Sequence, residues 1–549
     1  MLQRKNYFFI VCFFLIFFRI VSFNFNFKRD TFETHRLLST RNSNNNYNNN
    51  MEFKNDQQPL VEVVSTIGCK YCKKVKHTFA SLRINYRNID LNDEKTILND
   101  RDEERVKYAR SNKIPQVYVN DVWLGGCDKV MEGIDNRSLF NLLDSYSVSY
   151  DENAGPLEEE TTPIDMSNLI HQPSLEDGLN TITFETELET NEELKNIYNK
   201  RNNIIHHPLM IAKELQIMAL ELVEKYGNTD GSRMDYTKMK ASIELKKYII
   251  ISSFLKELEV SSLQLLSISQ KFAFFSNLYN ALIVHATCIL GGCEDSPSAR
   301  TAFFSGSSGA IYIIAGLKMS PDQIEHGILR CNRRHPGQPI TTSSYLPSGD
   351  AIEQLSLPLD SFDPRLHFIL NCGASSCPPI RVLSGEAEQL NEALRLAAKA
   401  YLELQVSVSI ETVTSSESHS SSNYDFPVVY LPRLLLWYGF DFGTNVSGQV
   451  AAALNCLNSE HKRTLIERIR SCLPSSSSSS SSSLVDTTVT TDSLNEFTVV
   501  SDASGDQIPE THEDTAGIVA GDAMNQGPRV LLVRYLDYNW AVNEAPTSQ

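Results

Sequence analysis

Cys69-Lys70-Tyr71-Cys72 is the segment of this 549-residue chain whose residue types and spacing most directly suggest chemistry. Thiol–disulfide exchange needs a thiolate nucleophile and a second thiol that can resolve the mixed disulfide. Cys69 falls between an apolar, β-branched stretch, Leu60 to Ser65, and a stretch with helical spacing of apolar residues, Cys72 to Leu82. That places it at a helix N-terminus, where the dipole and the free N–H groups favour a thiolate. Lys70, Lys73, Lys74 and Lys76 add potential of the same sign, and Cys72, one turn on, is placed to resolve. Zinc is the competing use of such a pair. No second Cys or His pair stands at zinc spacing, so no metal is expected.

A second group of polar residues is set in apolar or turn-forming surroundings far downstream. Asn277, Asn280 and His285 share one helical stretch, and His326, His367, Asn371, Cys372 and Cys377 follow. A Cys with a His as base and an Asn to orient it would suit thiol acyl transfer or peptide hydrolysis. The plainer reading makes them hydrogen-bonded core residues, with the two cysteines as small buried apolar groups. A third makes Cys372–Cys377 a disulfide, an internal substrate for the first pair. Cys377, followed by two prolines, competes with Cys372 for the nucleophile's place. A metal held by His326 and His367 lacks paired ligand spacing.

Elements must position these residues. Around the first pair, strands are expected at Leu60–Ser65, Asn85–Leu91 and Gln116–Asn120, the last ending in the turn Asn120-Asp121. Helices are expected at Cys72–Leu82, Glu103–Ser111 and Asn136–Ser145, giving the order β-α-β-α-β-(β)-α of a small sheet with helices on both faces. Around the second group, the spacing predicts helices at Leu209–Tyr226, Ile243–Glu257, Gln270–Leu290, Ala387–Gln405 and Lys462–Cys472. Arg365–Asn371 and Phe426–Leu431 read as short strands. This larger block is α+β and mostly helical.

The net charge of −17 is concentrated: Asp151 to Glu193 holds 13 acidic residues and no Lys or Arg. The acidity thus describes a linker, and no basic stripe suggests nucleic acid. Pro156, Pro163 and Pro173 are expected to keep that linker extended. The organisation expected is a targeting segment at 1–22, a disordered Asn-rich segment at 23–56, a first domain at 57–147, an acidic linker at 148–206 and a second domain at 207–545. Ser-rich insertions at 414–424 and 474–527 interrupt the second domain and read as disordered loops. Arg4 and Lys5, the apolar run Tyr7–Phe18 and then Arg19 have the form of a signal peptide cleaved near Ser22, with a signal anchor as the alternative. The chain is therefore expected in the secretory pathway (endoplasmic reticulum lumen or secreted), or in a plastid through a two-part signal. A membrane is a partner only if the segment stays uncleaved. Eleven cysteines leave at least one without an intramolecular partner.

Two further motifs give the first block a family likeness. Lys113-Ile114-Pro115-Gln116-Val117 precedes a strand, and Gly125-Gly126-Cys127-Asp128 follows a turn. With Cys69-Lys70-Tyr71-Cys72, these resemble the Cys-x-Tyr-Cys, Thr-Val-Pro and Gly-Gly-x-Asp motifs of glutaredoxins, in order and at matching separations. The resemblance implies a thioredoxin-like α/β fold and glutathione as reductant. It makes Cys69 the residue that forms the mixed disulfide. Ile114, held by cis-Pro115, would pair with the tripeptide backbone. Gly126, Cys127 and Asp128 would receive its γ-glutamyl end, and Tyr71 would line the cleft. Two positions depart from the family: Lys70 replaces a Pro, and Thr66 replaces a Lys that contacts the glycine carboxylate. Family members without that Pro can hold a 2Fe-2S cluster between subunits, which leaves a cluster open here, although exchange is the expectation. Cys127 is read as packed near the glutathione loop, with a regulatory disulfide to another chain as the alternative.

The second block resembles domain of unknown function 547. The stretches that carry this are Phe272–Ala281, Ile324–Arg330, Asp363–Gly373, Ser376–Pro379, Trp437-Tyr438 with Asp441-Phe442, and Tyr538-Asn539-Trp540 with Asn543. The family implies no activity. The whole is expected to be a glutathione-dependent thiol–disulfide oxidoreductase, acting on disulfide-containing or glutathionylated proteins and joined to a domain of unknown activity. The alternatives are a non-catalytic glutathione- or cluster-binding sensor, and a Cys/His hydrolase in the second domain.

Overall fold

The structure, a computed structural model, describes residues 61–67, 69–91, 93, 96–111, 114–154, 169–204, 207–228, 234–292, 296–339, 341–374, 376–415, 422–443, 445–472, 489, 494, 497–502 and 530–539. The targeting segment expected at 1–22 and the Asn-rich stretch expected at 23–56 lie outside the described residues.

The first body is a four-stranded sheet in the order β2-β1-β3-β4. Its strands are β1 (Val61–Ser65), β2 (Arg87–Asp90), β3 (Gln116–Val119) and β4 (Val122–Gly125). β1 runs parallel to β2 and antiparallel to β3, which is antiparallel to β4. Strand alternation decides what each face carries. Val61 and Val63 pack with Val75 and Phe79 of α1 (Lys70–Ser81), with Val130 of α3 (Cys127–Asp135) and with Leu139 and Leu143 of α4 (Ser138–Ser145). Val64 meets Val106 and Ala109 of α2 (Asp100–Ser111) on the other face. Glu62, on that same face, is buried but ringed by the guanidiniums of Arg87, Arg101 and Arg105. A mixed sheet with helices on both faces is the thioredoxin-like arrangement. The helix expected at Asn136–Ser145 is α4, which starts at Ser138 because Arg137, at φ 64°, stands before it as the N-cap, while α3 over Cys127–Asp135 is a further helix that was not expected.

The larger body is mostly helical. After the short helices α5 (Glu185–Thr190) and α6 (Glu192–Asn199), α7 (Pro208–Tyr226), α8 (Ile243–Ser253) and α9 (Ile268–Leu290) pack together. α9 opens with a capping box, Ser267 with Gln270, and buries an unbroken run from Phe272 to Ile289. Among the described residues it is the helix long and apolar enough to cross a membrane, and it forms the centre of this body. A hairpin follows, β5 (Tyr312–Ile314) with β6 (Leu317–Met319), and then α10 (Ala387–Gln405). A second sheet has the order β7-β8-β10-β9, formed by β7 (Ser407–Ser415), β8 (Ser422–Leu431), β9 (Thr498–Asp502) and β10 (Val530–Tyr535). α11 (Val446–Cys456) and α12 (Ser459–Arg470) lie between β8 and β9 in the chain.

Three expectations change. Residues 169–204 are not an extended tether. Ile170, Leu179, Leu194 and Ile197 are buried, and the buried Asn180 amide donates to Ile313 O (2.8 Å) and Ser252 O (3.1 Å). The acids there answer lysines of α8: Glu187 pairs with Lys246 (2.5 Å) and Glu193 with Lys247 (2.6 Å). Arg365–Asn371 is not a strand. Asp363 caps and Pro364 begins a 3-10 turn through Phe368, which Pro at the first helical position favours. The insertions are also partly structured: β7 and β8 run into the first, and β9, inside the second, pairs parallel with β10.

Candidate functional site

At the first pair, Cys69 is itself the N-cap of α1, and its Sγ accepts the Cys72 N–H at 3.2 Å. The Cys72 thiol and the N–H groups of Cys72 and Tyr71 hold the Cys69 thiol below its ordinary value against burial, with Lys76 adding to the effect. Burial pushes the Cys72 thiol well up, and Cys69 adds to that. One turn of helix thus separates a favoured thiolate from a favoured thiol. Of the lysines expected to help, Lys73 is turned away: its ammonium donates to Glu224 O at 2.6 Å and to Gly227 O, at the C-terminal end of α7. Arg381 of the larger body adds a favourable charge interaction with Cys69, and its buried Nε has no hydrogen-bond partner among the described residues.

The Ile114–Pro115 peptide is cis and Pro115 is buried just before β3. Gly125 has φ 123°, and a Cβ there would lie 2.8 Å from Lys129 Cβ, so the turn into the Gly126 N-cap of α3 requires glycine. Cys127 starts α3, buried, with its thiol raised by burial, while Asp128 and Tyr71 are exposed. Cys127 belongs to the core cluster behind the loop.

In the larger body a cavity of about 620 Å3 brings together Tyr279, His326, His367, Cys372, Cys377 and Tyr538. The sulfurs of Cys372 and Cys377 are 2.9 Å apart. Tyr538 Oη lies 3.0 Å from Cys377 Sγ and 3.4 Å from Cys372 Sγ, and the Cys372 N–H donates to Cys377 Sγ at 3.1 Å. His326 sits in a π-helical turn, Gln323–Leu329, a form often found at functional sites. Its Nδ1 accepts from Arg330 Nη1 at 2.8 Å, and burial holds the ring neutral. His367 Nε2 donates to Asp441 Oδ2 at 2.8 Å and its ring stacks on Tyr438, centroids 3.8 Å apart. Asp441 also receives Arg330 Nε (2.8 Å) and Arg333 Nη1 (3.1 Å).

The residues expected at a second site therefore divide. His326, His367, Cys372 and Cys377 share the cavity. His285 does not: it is buried against Tyr312 Oη at 3.0 Å, and burial lowers it to about 3. Asn371 is a loop fastener, with its amide donating to Pro378 O and its Oδ1 accepting Gly373 N, both at 2.8 Å. Asn280 and Asn277 on α9 tie the same loop by bracketing Ile369 with Asn371 and holding Leu383. Among the described residues the histidine bonds run to Asp441 and Arg330, so no Cys–His–Asn relay is assembled. Asp322, His326 and His335 place ligand atoms within 4.8 Å of one another. However, Arg330 fixes His326 as the tautomer that turns an N–H toward Asp322, not a lone pair. Sequence reasoning gave Asp441, Arg330 and Tyr538 no role. The available signal was an acid and a phenol inside aromatic runs, which burial obliges to find partners.

A half-buried cysteine capping a helix, in a domain whose mixed sheet is entered through a cis-proline, defines a thiol–disulfide oxidoreductase-type domain. Residues 61–124 match the glutaredoxin family, and residues 263–402 match the family described as protein of unknown function, DUF547; the chain joins one domain of each. No curated protein and no solved structure matches the chain.

Proposed function

We propose that the chain is a glutathione-dependent thiol–disulfide oxidoreductase working through Cys69. The observation that carries the reading is the Cys69 cap: one sulfur accepts the Cys72 N–H while the second thiol, 1% exposed, stays protonated. In the forward step the Cys69 thiolate attacks a disulfide or glutathionylated cysteine. A Cys69 mixed disulfide forms, and the leaving thiolate takes a proton. Where the partner on Cys69 is glutathione, a second glutathione thiolate attacks its sulfur, releasing glutathione disulfide and the Cys69 thiolate. Where it is a protein, Cys72 attacks Cys69 Sγ, the protein thiolate leaves, and two glutathiones then reduce the Cys69–Cys72 disulfide and depart as glutathione disulfide. Ile114, Pro115, Gly126, Cys127, Asp128 and Tyr71 form the docking groove for the tripeptide. Arg381 adds a favourable charge interaction with Cys69 in a domain whose position 66 carries Thr in place of the family's lysine. The basic start and apolar run of residues 4–18 favour work in the secretory pathway.

The test is glutathione-dependent reduction of a small mixed disulfide by the full chain. Turnover should fall sharply in Cys69→Ser and persist in Cys72→Ser. A wild type with no turnover, or a fully active Cys69→Ser variant, sinks the reading.

A further inference from the structure

We propose that Cys372 and Cys377 form a second redox centre, a dithiol that exchanges with a small disulfide of the glutathione class inside the cavity of the larger domain. Three observations carry this. First, the two sulfurs face each other at 2.9 Å, so closing the bond to about 2.0 Å needs a shift of under about 1 Å. Second, the donor pattern repeats that of the first pair. At Cys69 the sulfur accepts the N–H of the other cysteine at 3.2 Å, and at Cys377 it does the same at 3.1 Å. Tyr538 Oη also lies 3.0 Å from Cys377 Sγ, within hydrogen-bond distance. Third, both sulfurs line a cavity of about 620 Å3, which gives a small disulfide a way in.

The loop is built to hold this geometry. Gly373, at φ 89°, turns the chain back so that Cys377 N reaches Ala374 O at 3.0 Å. Asn371 and Asn280 fasten the loop to α9, and Ser376 Oγ accepts the Asn539 N–H, which keeps Tyr538 over the pair. Although burial opposes it, the donors on Cys377 hold its thiol below the ordinary value, while Cys372 is raised well above. Cys377 is accordingly the attacking sulfur.

In the reaction the Cys377 thiolate attacks glutathione disulfide, forming a Cys377–glutathione bond and releasing one glutathione thiolate. Cys372 then attacks Cys377 Sγ, the second glutathione leaves as thiolate, and it takes the proton of Cys372. Two thiols are oxidised to one disulfide and one glutathione disulfide is reduced to two thiols.

The experiment uses the full chain carrying Cys69→Ser and Cys72→Ser, so that it does not depend on the first site. The protein is equilibrated across ratios of glutathione to glutathione disulfide, quenched in acid, alkylated, digested and mapped by mass. The proposal expects Cys372 and Cys377 to lose their alkyl groups together in one two-electron transition, while the buried Cys288 stays alkylated. Adding Cys372→Ser should instead trap glutathione on Cys377. Should that variant not fold, the transition in the double variant still decides. Both cysteines remaining alkylated at the most oxidising ratio, or glutathione accumulating on them without resolution when both are present, overturns the proposal.

Discussion

Replacing Asp441 with Asn tests whether the polar centre of the larger domain is held together by one buried carboxylate. Asp441 is 2% exposed and accepts from Arg330 Nε, Arg333 Nη1 and His367 Nε2, and Arg330 is itself only 6% exposed. Asn preserves the shape but removes the charge and turns an NH2 group toward donors. Breaking a buried pair from one side typically costs about 3–5 kcal/mol because the other charge stays buried and unpaired. At about 2–4 °C per kcal/mol for a domain of this order of size, that is a fall of roughly 6–20 °C in the melting temperature. The control is Glu392→Gln, which breaks the Arg395 pair, where both partners are about half exposed. That loss should be within about 1 kcal/mol. Differential scanning calorimetry of the full chain reads both. The pH dependence has a fixed sign. Burial opposes ionisation of Asp441, but the hydrogen bond from His367 and the charge of Arg330 hold its carboxyl well below the ordinary range. Its contribution is therefore complete above the unfolded carboxylate pKa of about 4 and is lost only as pH falls through the lower folded value. An Asp441→Asn melting temperature no lower than that of Glu392→Gln at pH 7 would mean that the carboxylate does not hold this centre together.

Asp322 carries the opposite sign. Burial and then Glu325 push it up to about 7, so ionisation favours the unfolded chain and stability falls as pH rises from about 4 to about 7. Asp322→Asn should gain on the wild type across that window and hold a constant advantage above it in pH-dependent melts; a flat difference contradicts this. Asn280→Ala should destabilise by about 1–3 kcal/mol, since it leaves the Ile369 carbonyl and the Asn371 N–H unsatisfied in the interior. A chemical melt unchanged from wild type would show that the loop is fastened elsewhere. Limited alkylation with iodoacetamide near pH 6.5 should label Cys69 before Cys72 and Cys127, because both of those are buried and raised. Peptide mapping that finds Cys72 labelled first reverses the assigned roles.

Much of the first domain was legible because its signals are local. A β-branched strand, a Cys-x-x-Cys at the next turn and a proline before a strand each report on their own few residues. The long helices were legible for the same reason: Ala387–Gln405 has clear amphipathic spacing, and the apolar run ending at Leu290 is long. What escaped is non-local. Ile170, Leu179, Leu194 and Ile197 are scattered through acidic sequence, and their burial depends on α8 and β5, which lie later in the chain. β9 sits inside a Ser-rich insertion, and its partner β10 begins near residue 530. The cavity shows the same limit most sharply. Cys377 and His367 were visible as candidates, but Tyr538 and Asp441 lie 161 and 74 residues further along. The sequence brought His285 and Asn371 into the same list by residue type alone. The fold assigns one to the core and the other to a loop.

At the first site, the cysteine that accepts glutathione is Cys69. The direct measurement is the intact mass and peptide map of full-length Cys72→Ser protein after brief exposure to glutathione disulfide. One glutathione per chain is expected at the first site, on Cys69, removed by added glutathione. A first site that stays unmodified, or a label that settles on Cys127 instead, would contradict it.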